Sequence, residues 1–401
     1  MRSRAAATAA LLLLATVSVS AQQKEPKRPK LNAQADTNDA HAYYAFALQR
    51  LKDDPEKAAD ALYWSTRLEP SWADAYYARR VALLLIDRSM LSRYWGGDRR
   101  TVESKEVKRI DSLFYQSLTI NPFVSQTLER QLFEAIADEI AGRYERAGAG
   151  SSTEVRYAID QATRTWGPAF RAWLAYGEGR YADALALYAQ AIKEDKRNGP
   201  LHADRGRIFL NMNQPDSALA EMTAAIDDMR KRDKKDLIYV YQSKALTEHS
   251  IGVIHQRLGN DAAAREAYGR ALQEDLSYTP AHLQLAYMAL DAKDTATAIN
   301  ELDLVTQLRA DDAQSEYLYG YVLALAGKAA DAQPHIEKAM KLNPSFAAPK
   351  FVYALLLEAA DFKDEAAATF KQFLASASRN DLRRREAEAH LAKLTKAPHQ
   401  E

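Results

Sequence analysis

Small and large apolar residues recur along this chain with a long, fixed period. Six alanines mark it: Ala184, Ala218, Ala264, Ala298, Ala332 and Ala366, separated by 34, 46, 34, 34 and 34 residues. Twelve residues before each stands a small residue: Ala172, Gly206, Gly252, Ala286, Gly320 and Ala354. Four residues after each stands a large apolar one: Tyr188, Met222, Tyr268, Leu302, Ile336 and Phe370. Seven after come Ala191, Ala225, Ala271, Val305, Ala339 and Phe373. Positions i, i+4 and i+7 share one helix face. The pattern therefore predicts pairs of antiparallel helices that approach closely where the small residues meet. Gly179, Asn213, Gly259, Lys293, Gly327 and Asp361 fall between the two helices of each pair. Glycine and asparagine there suit a helix end that needs positive φ.

This register resembles the tetratricopeptide repeat family, through Gly320, Gly327, Ala332, Ile336, Ala339 and Pro344 in one repeat and their recurrence in the others. The resemblance implies an all-α fold, a right-handed α-solenoid of antiparallel helix pairs. It also implies a concave face that binds peptides or proteins. Val305 and Phe373 depart from the small residue expected at their position, and the 46-residue interval departs from the period.

Six repeats fill 166–379. Upstream, 38–122 reads as two divergent repeats. Asn38 or Asp39 can cap the first helix. Ala45, Leu48, Ala58, Leu62, Ser65 and Pro70 fit the first repeat. Trp72 to Ile86 and Glu103 to Leu118 read as the helices of the second. The loop between them, 87–101, carries Tyr94, Trp95, Gly96 and Gly97, a functional loop or a plug over apolar surface. Residues 123–165 read as a two-helix joint, the second helix capped by Ser152. Residues 380–395 form a terminal capping helix with Leu382, Leu391 and Leu394 on its apolar side, as repeat arrays require. Residues 396–401 read as a disordered tail.

The long interval adds twelve residues between Ala218 and Ala264. It predicts an extended helical hairpin around 228–244, with Lys231, Arg232, Lys234 and Lys235 at a basic tip. That tip is either solvated or a docking knob.

The first 21 residues, MRSRAAATAALLLLATVSVSA, have a basic start, an apolar run and a small-residue cleavage site after Ala21. This is the pattern of a secretory signal peptide. A retained anchor is the alternative, though the apolar run is short for a span of about 20 residues. Residues 22–37, with two prolines and many charges, read as a flexible linker. The expected location is periplasmic or secreted, with membrane contact at most peripheral. The chain of 401 residues has no cysteine, so disulfides and thiolate chemistry are excluded. Basic and acidic residues number 54 each, which leaves no chain-wide basic footprint for nucleic acid.

In the resembled family the first helix of each repeat lines the inner face. By that register Trp166, Trp173, Tyr176, Leu283, Tyr287, Tyr317, Tyr321 and Phe351 point inward. Such an aromatic stripe is either a protein-binding groove or core buried by a neighbouring segment. The chain lacks a phosphate-binding GxxxxGK[ST] loop, a GxSxG elbow and an HExxH pair. No cofactor is implied. His282 can approach His249 from the neighbouring repeat as a metal pair; the alternative, which the spacing favours, is that these histidines are surface or groove residues. The reading is an exported, non-catalytic scaffold that binds a peptide or protein segment in the aromatic groove. Two alternatives stand beside it. One is an enzyme, or an enzyme's subunit, acting on cell-envelope glycan. The other is a structural component of an envelope assembly docking through the basic hairpin.

Overall fold

A small residue at a helix crossing leaves a hollow, and in every repeat of this chain one large side chain fills it. The computed structural model describes residues 25–194, 198–231 and 243–395. Among the described residues there are 21 helices and no strand. The chain begins with α1 (Ala40–Leu48), α2 (Pro55–Leu68) and α3 (Ala73–Ile86). The short α4 (Arg88–Trp95) and α5 (Arg99–Val102) lead to α6 (Lys105–Ile120). A hairpin of α7 (Glu129–Arg146) and α8 (Ser152–Thr163) follows. The main array comprises α9 (Pro168–Gly177) with α10 (Tyr181–Glu194), and α11 (Gly199–Asn211) with α12 (Pro215–Lys231). Next come α13 (Lys244–Arg257) with α14 (Asp261–Glu274), and α15 (Thr279–Asp291) with α16 (Thr295–Leu308). The array ends with α17 (Ala313–Leu325) and α18 (Ala329–Leu342), then α19 (Ala348–Ala359) and α20 (Lys363–Ser376). The last helix, α21 (Arg384–Thr395), packs on α20. Each pair packs side by side and hands on to the next, which makes the protein an α-solenoid.

The periodic residues are the core of these pairs. All six register alanines are fully buried, and so are the large residues four positions on. A Cβ on Gly320 would lie 2.8 Å from Ile336, and one on Gly206 would lie 2.9 Å from Met222. On Gly252 it would penetrate the Tyr268 ring. Glycine is thus required where its partner is bulkiest. The six turn residues all have positive φ, from 57° at Asn213 to 73° at the three glycines. Lys293 and Asp361 hold this left-handed conformation without the freedom of glycine.

A polar stitch accompanies the apolar contact, and the periodicity did not announce it. His202 Nδ1 meets Glu221 at 2.7 Å, His282 Nδ1 meets Glu301 at 2.6 Å, and His335 Nδ1 meets Glu316 at 2.7 Å. All three pairs span 19 residues and link the first helix of a repeat to its second. In the third pair the acid and the imidazole have exchanged helices. At the equivalent position of the α13–α14 repeat the buried Glu248 accepts from Arg230 at 2.6 Å and Arg270 at 2.9 Å.

The solenoid closes on itself. Asn343, buried near the end of α18, donates to Arg67 O of α2 at 2.7 Å, while Arg67 donates to Leu342 O at 3.2 Å. Asn38 donates to Ala375 O at 2.9 Å, and Arg379 N donates to Asp36 at 2.5 Å. One apolar cluster runs from Tyr43, Tyr77 and Leu118 to Tyr268, Tyr278 and Met288. The first repeats therefore lie against the middle and last repeats.

Several expectations need correction. Ala58, Leu62 and Ser65 are buried as the register requires, but Ala45 and Leu48 are exposed. In α1 the buried positions are Ala40, Tyr43 and Ala47, because Asp39 starts the helix by accepting from His41 N at 2.9 Å. Residues 87–101 are mostly helical, and Met90 and Leu91 bury themselves in the N-terminal core. The cap of α8 is Ser151, in a reciprocal capping box with Glu154, rather than Ser152. Residues 25–37 lie against α2 rather than free in solvent: Trp64 Nε1 donates to Pro26 O at 3.0 Å and Arg28 stacks over the Trp64 ring at 4.4 Å. Leu382 is exposed, while Leu391 and Leu394 pack as expected. Of the basic tip, Lys231 ends α12 and is exposed; Arg232, Lys234 and Lys235 lie outside the described residues, as do 1–24 and 396–401.

Two glycine substitutions test the crossing contact. Gly252→Ala should cost about 1–3 kcal/mol by forcing the Tyr268 ring to move. Gly269→Ala, on α14 with open space around its Cα, should stabilise by about 0.5–1 kcal/mol through helix propensity. Urea unfolding of both variants beside the parent reads the two signs.

Candidate functional site

The inner face is a seam rather than an open groove, because the first repeats occupy much of it. The eight inward residues fall into three groups. Phe351 and Tyr176 are buried core, which corrects their assignment to a ligand-binding stripe. Phe351 packs on Phe373 and Phe370, at ring distances of 5.3 and 6.1 Å, since Phe373 fills the place of the usual small residue. The Tyr176 hydroxyl accepts from Gln126 N at 3.2 Å and from Asn211 Nδ2 at 3.1 Å. Trp166 and Trp173 join Phe133 and Phe170 in an aromatic cluster, and Trp95 of α4 lies 5.4 Å from Trp173. Leu283, Tyr287, Tyr317 and Tyr321 form the third group and stay partly accessible, Tyr287 and Tyr321 at 38% and 37%.

Leu283, Tyr287 and Tyr317 of that group border a trough. Its larger part, about 680 Å³, lies between residues 38–41 and 68–71 on one side and Tyr317, Phe346 and Arg383 on the other. A smaller part, about 150 Å³, runs past Leu283 and Tyr287 against Pro70 and Ile120. Gln314 borders both parts. Its Oε1 is buried without a hydrogen-bond partner among the described residues. Tyr317 stacks on Tyr321 at 6.0 Å and meets Phe346 edge-on at 5.1 Å. Burial raises the pKa of Tyr317, so its hydroxyl is neutral at physiological pH.

A second cleft, about 620 Å³, opens where α3 to α6 face α11. The buried Arg80 organises its floor. Its guanidinium donates to Asp111 at 3.1 Å, Glu129 at 3.1 Å and the Tyr94 hydroxyl at 3.2 Å. Across the cleft Arg207 donates to Asp204 at 2.7 Å. Burial pushes the carboxyls of Glu129 and Asp204 above their ordinary pKa, against the opposing pull of Arg80 and Arg207. Sequence reasoning missed this network, although an arginine inside the apolar run Tyr76 to Ile86 is a signal for one.

The histidines divide by environment. His249 is fully buried between the Tyr268 and Tyr278 rings, and burial lowers its pKa from 6.5 to about 3. His282 is held by Glu301, chiefly through their hydrogen bond, and its pKa is raised. No cluster of three metal-ligating side chains occurs among the described residues. No helix among them is long and apolar enough to cross a membrane.

Residues 175–236 match the family model of the tetratricopeptide repeat. Over 112 residues, 28% of this chain, the sequence is 30% identical to the probable UDP-N-acetylglucosamine–peptide N-acetylglucosaminyltransferase SPINDLY of Arabidopsis thaliana, covering 11% of that protein. Over 53 residues it is 34% identical to Hsc70-interacting protein 1 of Drosophila melanogaster, covering 14% of it. The chain thus spans only a small fraction of the curated relatives it matches. Among solved structures, YrrB, a TPR protein with an unusual peptide-binding site, is 15% identical, with 51% of this chain and 97% of that one covered at a TM-score of 0.40. The Cut9–Hcn1 hetero-tetramer structure of the APC/C gives 14% identity, 89% and 76% coverage and a TM-score of 0.40.

Two predictions follow from the charges. Arg80→Ala should destabilise by about 3–5 kcal/mol, because it strands Glu129 and Asp111 in a partly dry site; chemical unfolding measures it. In an imidazole NMR titration His249 should stay neutral down to about pH 3 while His282 titrates above the ordinary 6.5. The unfolded chain then binds more protons at position 249, so His249 removes stability as pH falls from about 6.5 towards 3. His282 acts oppositely: its contribution is full below 6.5 and is lost as pH rises through its raised folded value.

Proposed function

We propose that this protein is an exported, non-catalytic interaction scaffold that binds an extended polypeptide segment in the trough between Tyr287 and Tyr317. The match to the tetratricopeptide repeat supports the scaffold role. The observation that carries the site is Gln314, whose buried acceptor has no partner among the described residues and lies where the two parts of the trough join. A peptide N–H would satisfy it, and the tyrosines would bury the flanking side chains at low entropic cost. Arg383 is already paired with Asp381 at 2.7 Å, but Asp39, Glu69 and Asp312 leave the lining net acidic, so the trough favours a basic segment whose binding weakens as salt rises. The signal-peptide pattern of residues 1–21 supports export to the periplasm or the medium, and amino-terminal sequencing of the protein from its host tests cleavage after Ala21.

The binding test is a peptide-library selection on the whole chain, followed by calorimetry of the selected peptides. Gln314→Ala and a Tyr287→Ala, Tyr317→Ala double variant should each weaken binding by at least about tenfold. Lys231→Glu should leave it unchanged. Peptides that bind all variants alike would refute the trough as the site.

A further inference from the structure

We propose that the second cleft, between α3 to α6 and α11, binds a short neutral oligosaccharide. The argument begins with charge. Arg80, Arg99 and Arg207 face Glu103, Glu129 and Asp204, so the formal charges of the cleft cancel. The pairs are internal: Arg80 with Glu129 at 3.1 Å, Arg207 with Asp204 at 2.7 Å and Arg99 with Glu103 at 2.8 Å. A charged ligand would have to break one of them and would find no free counter-charge. A neutral polar ligand need not.

Each guanidinium–carboxylate pair presents a donor and an acceptor side by side. A hydroxyl group both donates and accepts, so two neighbouring hydroxyls of a sugar ring can engage one such pair without disturbing it. A peptide amide has its donor and acceptor fixed on opposite sides and fits the pair less well. Arg207 Nε is also buried without a partner among the described residues, so its pair has donor capacity to spare.

The walls supply the other half of sugar recognition. Trp95, 40% exposed, stands at the mouth, and Tyr94 and Phe114 line the inside. The C–H face of a pyranose is apolar and can lie on such a ring while its hydroxyl edge meets the paired charges. Gly97, at φ 73°, turns the chain at the rim and leaves the mouth open beside Trp95. The volume of about 620 Å³ falls in the range of small-molecule sites, about 300–1,000 Å³. The raised carboxyl pKa values of Glu129 and Asp204 agree with a partly dry floor, where a hydrogen bond to a hydroxyl counts for more.

The test uses the full chain and two neutral probes, cellotriose and triacetylchitotriose. The chain has five tryptophans, so the indole N–H region of a proton–nitrogen spectrum is simple enough to follow each one. At least one probe should bind with a dissociation constant of about 1 mM or tighter and shift the Trp95 and Trp173 signals. Trp95→Ala should weaken that binding by at least about tenfold in a chain whose other indole signals remain dispersed, which shows that the fold is kept although the contact with Trp173 is lost. Arg207→Lys, which keeps the charge but loses the fork, should also weaken it. The Tyr287→Ala, Tyr317→Ala double variant should bind the sugar as the parent does, which separates this cleft from the peptide trough. Failure of both probes to bind would overturn the proposal. So would sugar binding that survives Trp95→Ala, or binding of the neutral peptide acetyl-Gly-Ser-Gly-amide at equal strength.

Discussion

The architecture depends on one contact, a small residue on the first helix of a repeat facing a large one on the second. Gly252 against Tyr268 is the extreme case and Ala286 with Leu302 an ordinary one. The contact sets the separation of two helix axes, and six copies of it set the course of the array. Small changes in that separation accumulate. The inner face is therefore only as regular as the volume match in each repeat. This is why large residues at the third small position, Val305 and Phe373, do not break the array: both are fully buried and their neighbours have adjusted around them.

The closed seam is the second determinant. A solenoid that met only its neighbours would be an open coil with its inner aromatics exposed. Here residues 34–38 reach 375–379, and α2 reaches the end of α18. These contacts are mostly backbone-directed hydrogen bonds and fix position more than they add stability. The apolar continuity from Tyr77 to Tyr278 supplies the larger share of the attraction. The polar contacts then select one register for the two halves.

Much of the main array was legible in the sequence, because its information is local. The alanine register, the large residues four positions on and the turn residues can all be read from spacing, and each occupies the expected place. Six positive φ angles at six foreseen turns show how far local signals reach. The inner-face assignment was only partly legible. It gave Tyr287, Tyr317 and Tyr321 as accessible, but it could not reveal that residues 38–41 and 68–71 stand opposite them. That proximity joins positions some 300 residues apart, as Asn38 and Ala375 do, and no period encodes it. Phe351 illustrates the limit: by register it points inward, yet its own repeat carries Phe373 where alanine is usual, and the ring is drawn into the core.

The buried charges show what the apolar pattern leaves undetermined. Replacing a buried ion pair by well-packed apolar residues is often neutral or stabilising, so Arg80, Glu129 and Asp111 are poorly explained by stability alone. Specificity gives a fuller account. Arg80 lies on α3, Asp111 on α6 and Glu129 at the start of α7, so one guanidinium fixes three elements of the divergent N-terminal part of the chain. In that part the register is kept by Ala58, Leu62 and Ser65 of α2, while the longer α3-to-α7 connection is aligned by a directional polar network. The same network leaves paired donors and acceptors facing a cleft. Alignment of that connection and a polar cleft are thus two consequences of one arginine placed in an apolar helix.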